Sequence, residues 1–131
     1  MAEVSVKAYA NGLRLAPRKV SLVASLVRGR TVADALVILQ HTPERAAKPL
    51  AKLIESAKAN AINNHRVQED GLVIATLSVT AGERLKRYRP AAHGRALPFQ
   101  KKTSNVKVVV TGAEKVKKPA AKPSETKEEA K

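Results

Sequence analysis

The stretch RLKRYRPAAHGRALPFQKK, residues 84–102, constrains this chain more than any other part of it. It lies between LVIATLSVT (72–80) and NVKVVV (105–110), two runs rich in β-branched residues and bounded by turn formers, so strands are expected on both sides. A structureless connection of about 20 residues is rare inside a compact domain unless it is functional or disordered. Here both ends continue strands, and Pro90 and Gly94 put turn formers near the midpoint. If the two arms stay paired, ten or so residues each at about 3.3 Å per residue carry a ribbon roughly 30 Å beyond the globule. An isolated two-stranded ribbon is marginal in water. Its own side chains say what would stabilise it: Arg84, Lys86, Arg87, Arg89, Arg95, Lys101 and Lys102 are cations, and the stretch contains no acid. The ribbon calls for anionic surroundings.

The whole chain points the same way. Its formal charge of +14 implies a polyanionic partner, either nucleic acid or an anionic membrane surface. At 131 residues, 44% of them hydrophobic, there is material for one domain with one modest core. We expect that domain to span residues 1–112, with the protruding hairpin at 82–103, and residues 113–131 to form a disordered tail. The tail's Pro, Lys and Glu bury too little apolar surface to offset the entropy of ordering. The absence of Cys excludes disulfides and thiolate metal sites and fits a reducing compartment. The start, MAEVSVKAYANG, has no apolar signal region, and no run approaches the roughly 18 apolar residues of a membrane span. The expectation is a cytoplasmic protein with no membrane partner.

Periodicity and punctuation place the remaining elements. VSVKAY alternates Val4, Val6 and Ala8 against Ser5, Lys7 and Tyr9, the pattern of a half-buried strand. A first helix opens at Pro17 and closes at Gly29, with Val20, Val23, Ala24 and Val27 on one face. TVAD (31–34) is a capping box with Asp in place of Glu, opening a short second helix with Leu36 and Leu39 inward. Thr42 and Pro43 repeat a start signal for a third helix running to about Asn64, with Leu50, Leu53, Ile54, Ala57 and Ala61 as its stripe. An interior Pro costs about 3 kcal/mol, so this helix either starts at Pro49 or bends in its first two turns. The expected fold class is α+β: three helices on a small three-stranded antiparallel sheet, with a long β-hairpin.

A search for catalysis finds nothing to build on. His41, His65 and His93 are scattered without metal-ligand spacing, and the six glycines match no phosphate-cradling pattern. We expect no enzyme, no metal and no cofactor. With only Tyr9, Tyr88 and Phe99 as aromatics, a stacking platform for single-stranded bases is poorly supplied. Phosphate tracking and shape recognition of folded RNA need only Lys, Arg and backbone. A membrane role would want an amphipathic helix with Trp or Phe, and none is present. The rival reading is a nucleoid-type or regulatory DNA binder, using the two helices that meet at the RGRT turn as a helix-turn-helix. Against it, VADALVILQ is short and apolar, and we expect no side chains on it suited to base edges.

LKRYRPAAHGRALPFQKKTSNVKVVV, with LAPRKVSLVASLVRGRTVADALVIL and LIESAKANAINNH upstream, closely resembles the bacterial large-subunit ribosomal proteins numbered twenty-two, in order over roughly residues 4–111. The resemblance implies a globular part on the large subunit near the exit of the nascent-peptide tunnel, and a hairpin threaded through rRNA to line the tunnel wall. It implies 23S-type rRNA, neighbouring large-subunit proteins and the nascent polypeptide as partners, with no homo-oligomer. Arg87, Tyr88, Arg89, Pro90, Ala91, His93, Gly94 and Arg95 fall on the tunnel-lining tip; Ala91 stands where family members often carry Arg, a charge Arg89 can supply. Arg14, Arg18, Lys19, Arg28 and Arg30, flanking the first helix, join Arg84, Lys86, Arg87, Arg89, Arg95, Lys101 and Lys102 as rRNA contacts on this resemblance. A solvated cationic face is the competing role for the five around the helix. Asn60, Asn63 and Asn64 would either touch RNA or cap the third helix.

Overall fold

A computed structural model describes residues 3–113; the expected tail lies outside the described residues apart from Ala113, which closes the last strand. The order is β1 (Glu3–Leu13), α1 (Pro17–Val27), α2 (Val32–His41), α3 (Ala47–His65), β2 (Val73–Pro90) and β3 (Ala96–Ala113), with short 3-10 turns at Glu69–Gly71 and Ala92–Gly94. The sheet order is β1-β3-β2, antiparallel throughout, so the last strand is the central one. The α+β expectation of three helices on a three-stranded sheet holds.

The helices lie on one sheet face, α1 and α3 directly against the strands and α2 packed on those two helices. Val106, Val108 and Val110 of β3, Ile74 and Leu77 of β2, and Val6 and Ala8 of β1 are buried against them. Their partners are the expected stripes: Val20, Val23, Ala24 and Val27 of α1, and Leu50, Leu53, Ile54, Ala57 and Ala61 of α3. In α2 the buried positions are Val32, Ala35 and Leu39, while Leu36 is only half-buried at the core's margin. No helix among the described residues is long and apolar enough to cross a membrane.

The helix ends show where local signals were followed and where they were overruled. Pro17 occupies the first position of α1, and Gly29 turns the chain beyond it at φ +72°. The Thr31 hydroxyl accepts from the Asp34 N–H at 3.2 Å and donates to Asp34 Oδ2 at 2.8 Å. Asp34 thus answers the cap through the hydroxyl, its side chain being one methylene shorter than the Glu of a full capping box. Thr42 does not start α3: it caps the end of α2, its hydroxyl donating to the Ile38 carbonyl at 2.7 Å. Nor does α3 start at Pro49. It begins at Ala47, which leaves Pro49 in the first turn, where no intrahelical carbonyl awaits its missing N–H. At the other end Arg66 takes the left-handed position at φ 52°, and Asn60, Asn63 and Asn64 remain inside the helix rather than capping it.

The α1–α2 turn settles the helix-turn-helix reading. Its backbone is bonded to the outer edge of β2: Gly29 N–H donates to Ile74 O at 3.1 Å, Ile74 N–H to Arg30 O at 3.0 Å, and Val32 N–H to Leu72 O at 3.0 Å. The turn acts as a short fourth strand that covers part of an exposed sheet edge. The outward positions of α2 are Ala33, Asp34, Val37, Gln40 and His41, with an acid and no Lys or Arg. This helix is not made to enter a groove of DNA, and the DNA-binding alternative is not supported.

Gly112 shows how tightly the sheet's base is packed. A Cβ there would stand 2.5 Å from Val67 Cγ1 and 2.9 Å from Leu72 Cδ2, both buried side chains. Gly71 has nothing within 4 Å of the same position. Gly112→Ala is therefore expected to destabilise by about 1–3 kcal/mol through overpacking, and Gly71→Ala by about 0.5 kcal/mol or less as a surface change. Urea unfolding of both variants decides; equal midpoints would show that the Val67–Leu72 wall yields freely.

Candidate nucleic-acid interface

The basic connection is strand along nearly its whole length. β2 and β3 stay paired from Arg84↔Lys102 to Pro90↔Ala96, and the chain turns over residues 91–95. The turn is closed by Ala91 N–H to Arg95 O at 2.8 Å, with His93 and Gly94 at φ +60° and +70°. Two successive left-handed residues reverse the chain; Gly accepts that conformation freely, and His is among the side chains enriched in it.

Alternation then sorts the cations. Arg84, Lys86 and Tyr88 share one face of the ribbon with Lys102, Gln100 and Pro98; Leu85, Arg87 and Arg89 share the other with Lys101, Phe99 and Leu97. Both faces are cationic, and every Lys and Arg on them is exposed. The only apolar support is thin: Leu85 and Phe99 are half-buried, and the Arg89 guanidinium lies over the Phe99 ring at 4.8 Å from its centroid. Tyr88 is 71% and Leu97 59% exposed. A globular partner would cover one face and leave the other, whereas charge on both suits an element enclosed by polyanion.

The ribbon leaves the globule at paired irregularities flanking Ser104. Register slips between Ala81 and Arg84 on β2 and between Ala10 and Leu13 on β1, each adding a residue opposite β3. Gly82 is required at the first: a Cβ would come within 2.6 Å of Thr103 Oγ1. That hydroxyl donates to Glu83 O at 2.6 Å, and Gly12 N–H donates to Asn105 Oδ1 at 2.9 Å, so both bulges are pinned by side chains of β3. Asn11, Gly12, Arg14, Glu83, Leu85, Thr103 and Asn105 surround an open groove of about 550 Å³ at this root.

The five cations expected around α1 separate. Arg14 lines the root groove, and Arg18 and Lys19 are exposed on the first turn of α1, which begins shortly after β1 ends at the root. Arg28 and Arg30 belong to the opposite end and hold backbone: Arg28 Nε donates to Leu77 O at 2.8 Å and Arg30 Nε to Leu26 O at 2.9 Å. Lys58 pairs with Glu69. Among the described residues no three His, Asp or Glu side chains gather into a metal-sized cluster. Charge counting could not separate the Arg28 and Arg30 backbone bonds from free cations, because both depend on a carbonyl far along the chain or a turn geometry.

A small α+β globule that extends a cationic two-stranded ribbon from its central strand is built as a ribosomal protein. The chain belongs to the family of ribosomal protein L22p/L17e, whose model matches residues 8–111. It is 45% identical over 108 residues to the large ribosomal subunit protein uL22 of Mesoplasma florum, covering 82% of this chain and 96% of that one. It is 46% identical to the uL22 protein of Oceanobacillus iheyensis over the same shares, and 45% identical to that of Herpetosiphon aurantiacus over 85% of this chain and 98% of the other. The chain is thus a structural constituent of the large ribosomal subunit in the cytoplasm, and not an enzyme.

With almost no buried apolar surface, the ribbon's hydrogen bonds open easily in the free protein. Amides of residues 84–102 are expected to exchange within the fastest class, while those of α3 and of β3 from Val106 to Val110 persist to near-global unfolding. Hydrogen exchange read by NMR checks this, and a ribbon as protected as the core would show that it is rigid on its own.

Proposed function

We propose that this protein binds large-subunit, 23S-type rRNA, with the ribbon threaded through the RNA and its tip forming part of the wall of the nascent-peptide tunnel. The observation that carries the reading is the ribbon itself, cationic on both faces and lacking a core of its own. Arg84, Lys86, Arg87, Arg89, Lys101 and Lys102 meet phosphates along its length. Arg14, Arg18 and Lys19 extend the contact onto the globule at the ribbon's root. Arg28 and Arg30 contribute chiefly by tying α1 to β2 and to its own last turn, so their RNA contact is secondary. Arg87, Tyr88, Arg89, Pro90, Ala91, His93, Gly94 and Arg95 form the tip that faces the tunnel and its nascent polypeptide, while the globular part lies near the exit beside neighbouring ribosomal proteins.

Each neutralised phosphate steepens the fall of log affinity with log salt by about 0.7–0.9. Replacing Arg18 and Lys19 together with Ala should flatten that slope on protein-free rRNA by about one to two. An unchanged slope and affinity would leave the pair as bystanders on a solvated face.

Anchoring and tunnel lining are separable. Deleting residues 87–95 removes the tip but keeps the root, the globule and most of the cations. The shortened protein should comigrate with large subunits in a sucrose gradient, while peptide-dependent stalling and sensitivity to tunnel-binding antibiotics change. A tip deletion that abolishes incorporation, or leaves stalling and drug response untouched, would place function elsewhere.

A further inference from the structure

The helices leave the second face of the sheet bare. Strand alternation places Lys7, Tyr9 and Asn11 of β1, Asn105 and Lys107 of β3, and Ser78 and Thr80 of β2 on that face, with Tyr9, Lys107 and Ser78 in one cross-strand row. No acid interrupts this part of the face. Tyr9 is 60% exposed although large and aromatic, and Lys107 Nζ stands 5.8 Å from its ring centroid. Tyr9, Asn11, Ser78, Thr80, Asn105 and Lys107 border a hollow of about 250 Å³. The hollow shares Asn11 and Asn105 with the groove at the ribbon's root, where Arg14 lies.

We infer that this open sheet face is a second RNA contact, a platform on which the base of one unpaired nucleotide stacks on Tyr9. The inference rests on the rRNA-binding reading above and adds to it a site built from stacking rather than from charge alone. A ring with an ammonium over it offers a nucleotide two contacts at once, a surface for its base and a cation for its phosphate. Stacking is sequence-tolerant because every base has a π-face, and sheet aromatics serve the same purpose in other RNA-binding folds. Asn105 supplies edge recognition. Its Oδ1 is held by the Gly12 N–H, which fixes the amide's orientation, and its Nδ2 has no partner among the described residues. The Thr80 hydroxyl donates to the Asn105 carbonyl at 3.3 Å and steadies the same residue. Pinning the bulge at Gly12 accounts for the Asn105 amide's orientation but gives a solvated sheet face no use for an exposed aromatic ring.

The test uses the full chain and protein-free large-subunit rRNA as the probe. Tyr9→Phe keeps the stacking ring and should bind within about twofold of the unaltered protein, whereas Tyr9→Leu, apolar but without a ring, should bind about 5- to 100-fold more weakly. Ultraviolet crosslinking followed by mass spectrometry should find a nucleotide on Tyr9, both with free rRNA and in assembled subunits. Equal affinities for the Phe and Leu variants, crosslinks confined to the ribbon, or a Tyr9 crosslink to a protein neighbour would each overturn the platform while leaving ribbon binding intact. Failure of the unaltered protein to bind rRNA would overturn both readings together.

Discussion

Everything in this molecule hangs on β3 being hydrogen-bonded along both edges. As the last strand in sequence but the middle one in space, it closes the sheet between β1 and β2 and presents Val106, Val108 and Val110 to α1 and α3. The same strand, continued toward its own N-terminus, is one arm of the ribbon. Core and arm therefore share a backbone. Without β3 in place, β1 and β2 have no common partner, the apolar helix stripes lose their floor, and the ribbon has no root. Both irregularities at the root act through β3 as well, because Thr103 and Asn105 hold the neighbouring strands at the points where the register slips.

The division between what residues 3–113 show and what the sequence foretold follows a physical line. Strand alternation and helix stripes were legible, since burial repeats with the period of the element: the α1 and α3 stripes are buried at every expected position. Helix starts were less so. Thr42 and Pro43 carry the chemistry of a helix opening, yet the Thr42 hydroxyl finds the Ile38 carbonyl behind it, and the competing bond, four residues back, is invisible to a forward reading. Pro49 was misjudged for a related reason. Its cost depends on whether its N–H would have had a partner, which depends on a helix start that no side-chain cap announces at Ala46.

The interface divides the same way. A cation-dense, acid-free segment between two strand patterns, with turn formers at its midpoint, was enough to locate the ribbon and its turn. It could not distribute the cations over two faces, which required the register, nor distinguish Arg14 at the root from Arg28 at the far end of α1, which required the sheet. The exposed ring of Tyr9 was already assigned to the solvent side by alternation with Val6 and Ala8. Its setting beside Lys107, Asn105 and Ser78 exists only once strands distant in sequence are joined.

The paired cationic faces of the ribbon carry a consequence for the order of events in assembly. A body charged on one side can be laid against a finished surface and lifted off again. One charged on both sides fits only a channel, and a channel about as long as the ribbon admits it endwise or closes around it. On the proposed reading, then, the protein and its RNA bed are completed together: RNA segments that meet opposite faces of the ribbon are held at a fixed separation by its thickness. Once they have closed, release requires the RNA to reopen rather than merely the salt to rise. Such a ribbon is a spacer and a bolt as much as a ligand, retained by enclosure beyond what its count of contacts would suggest.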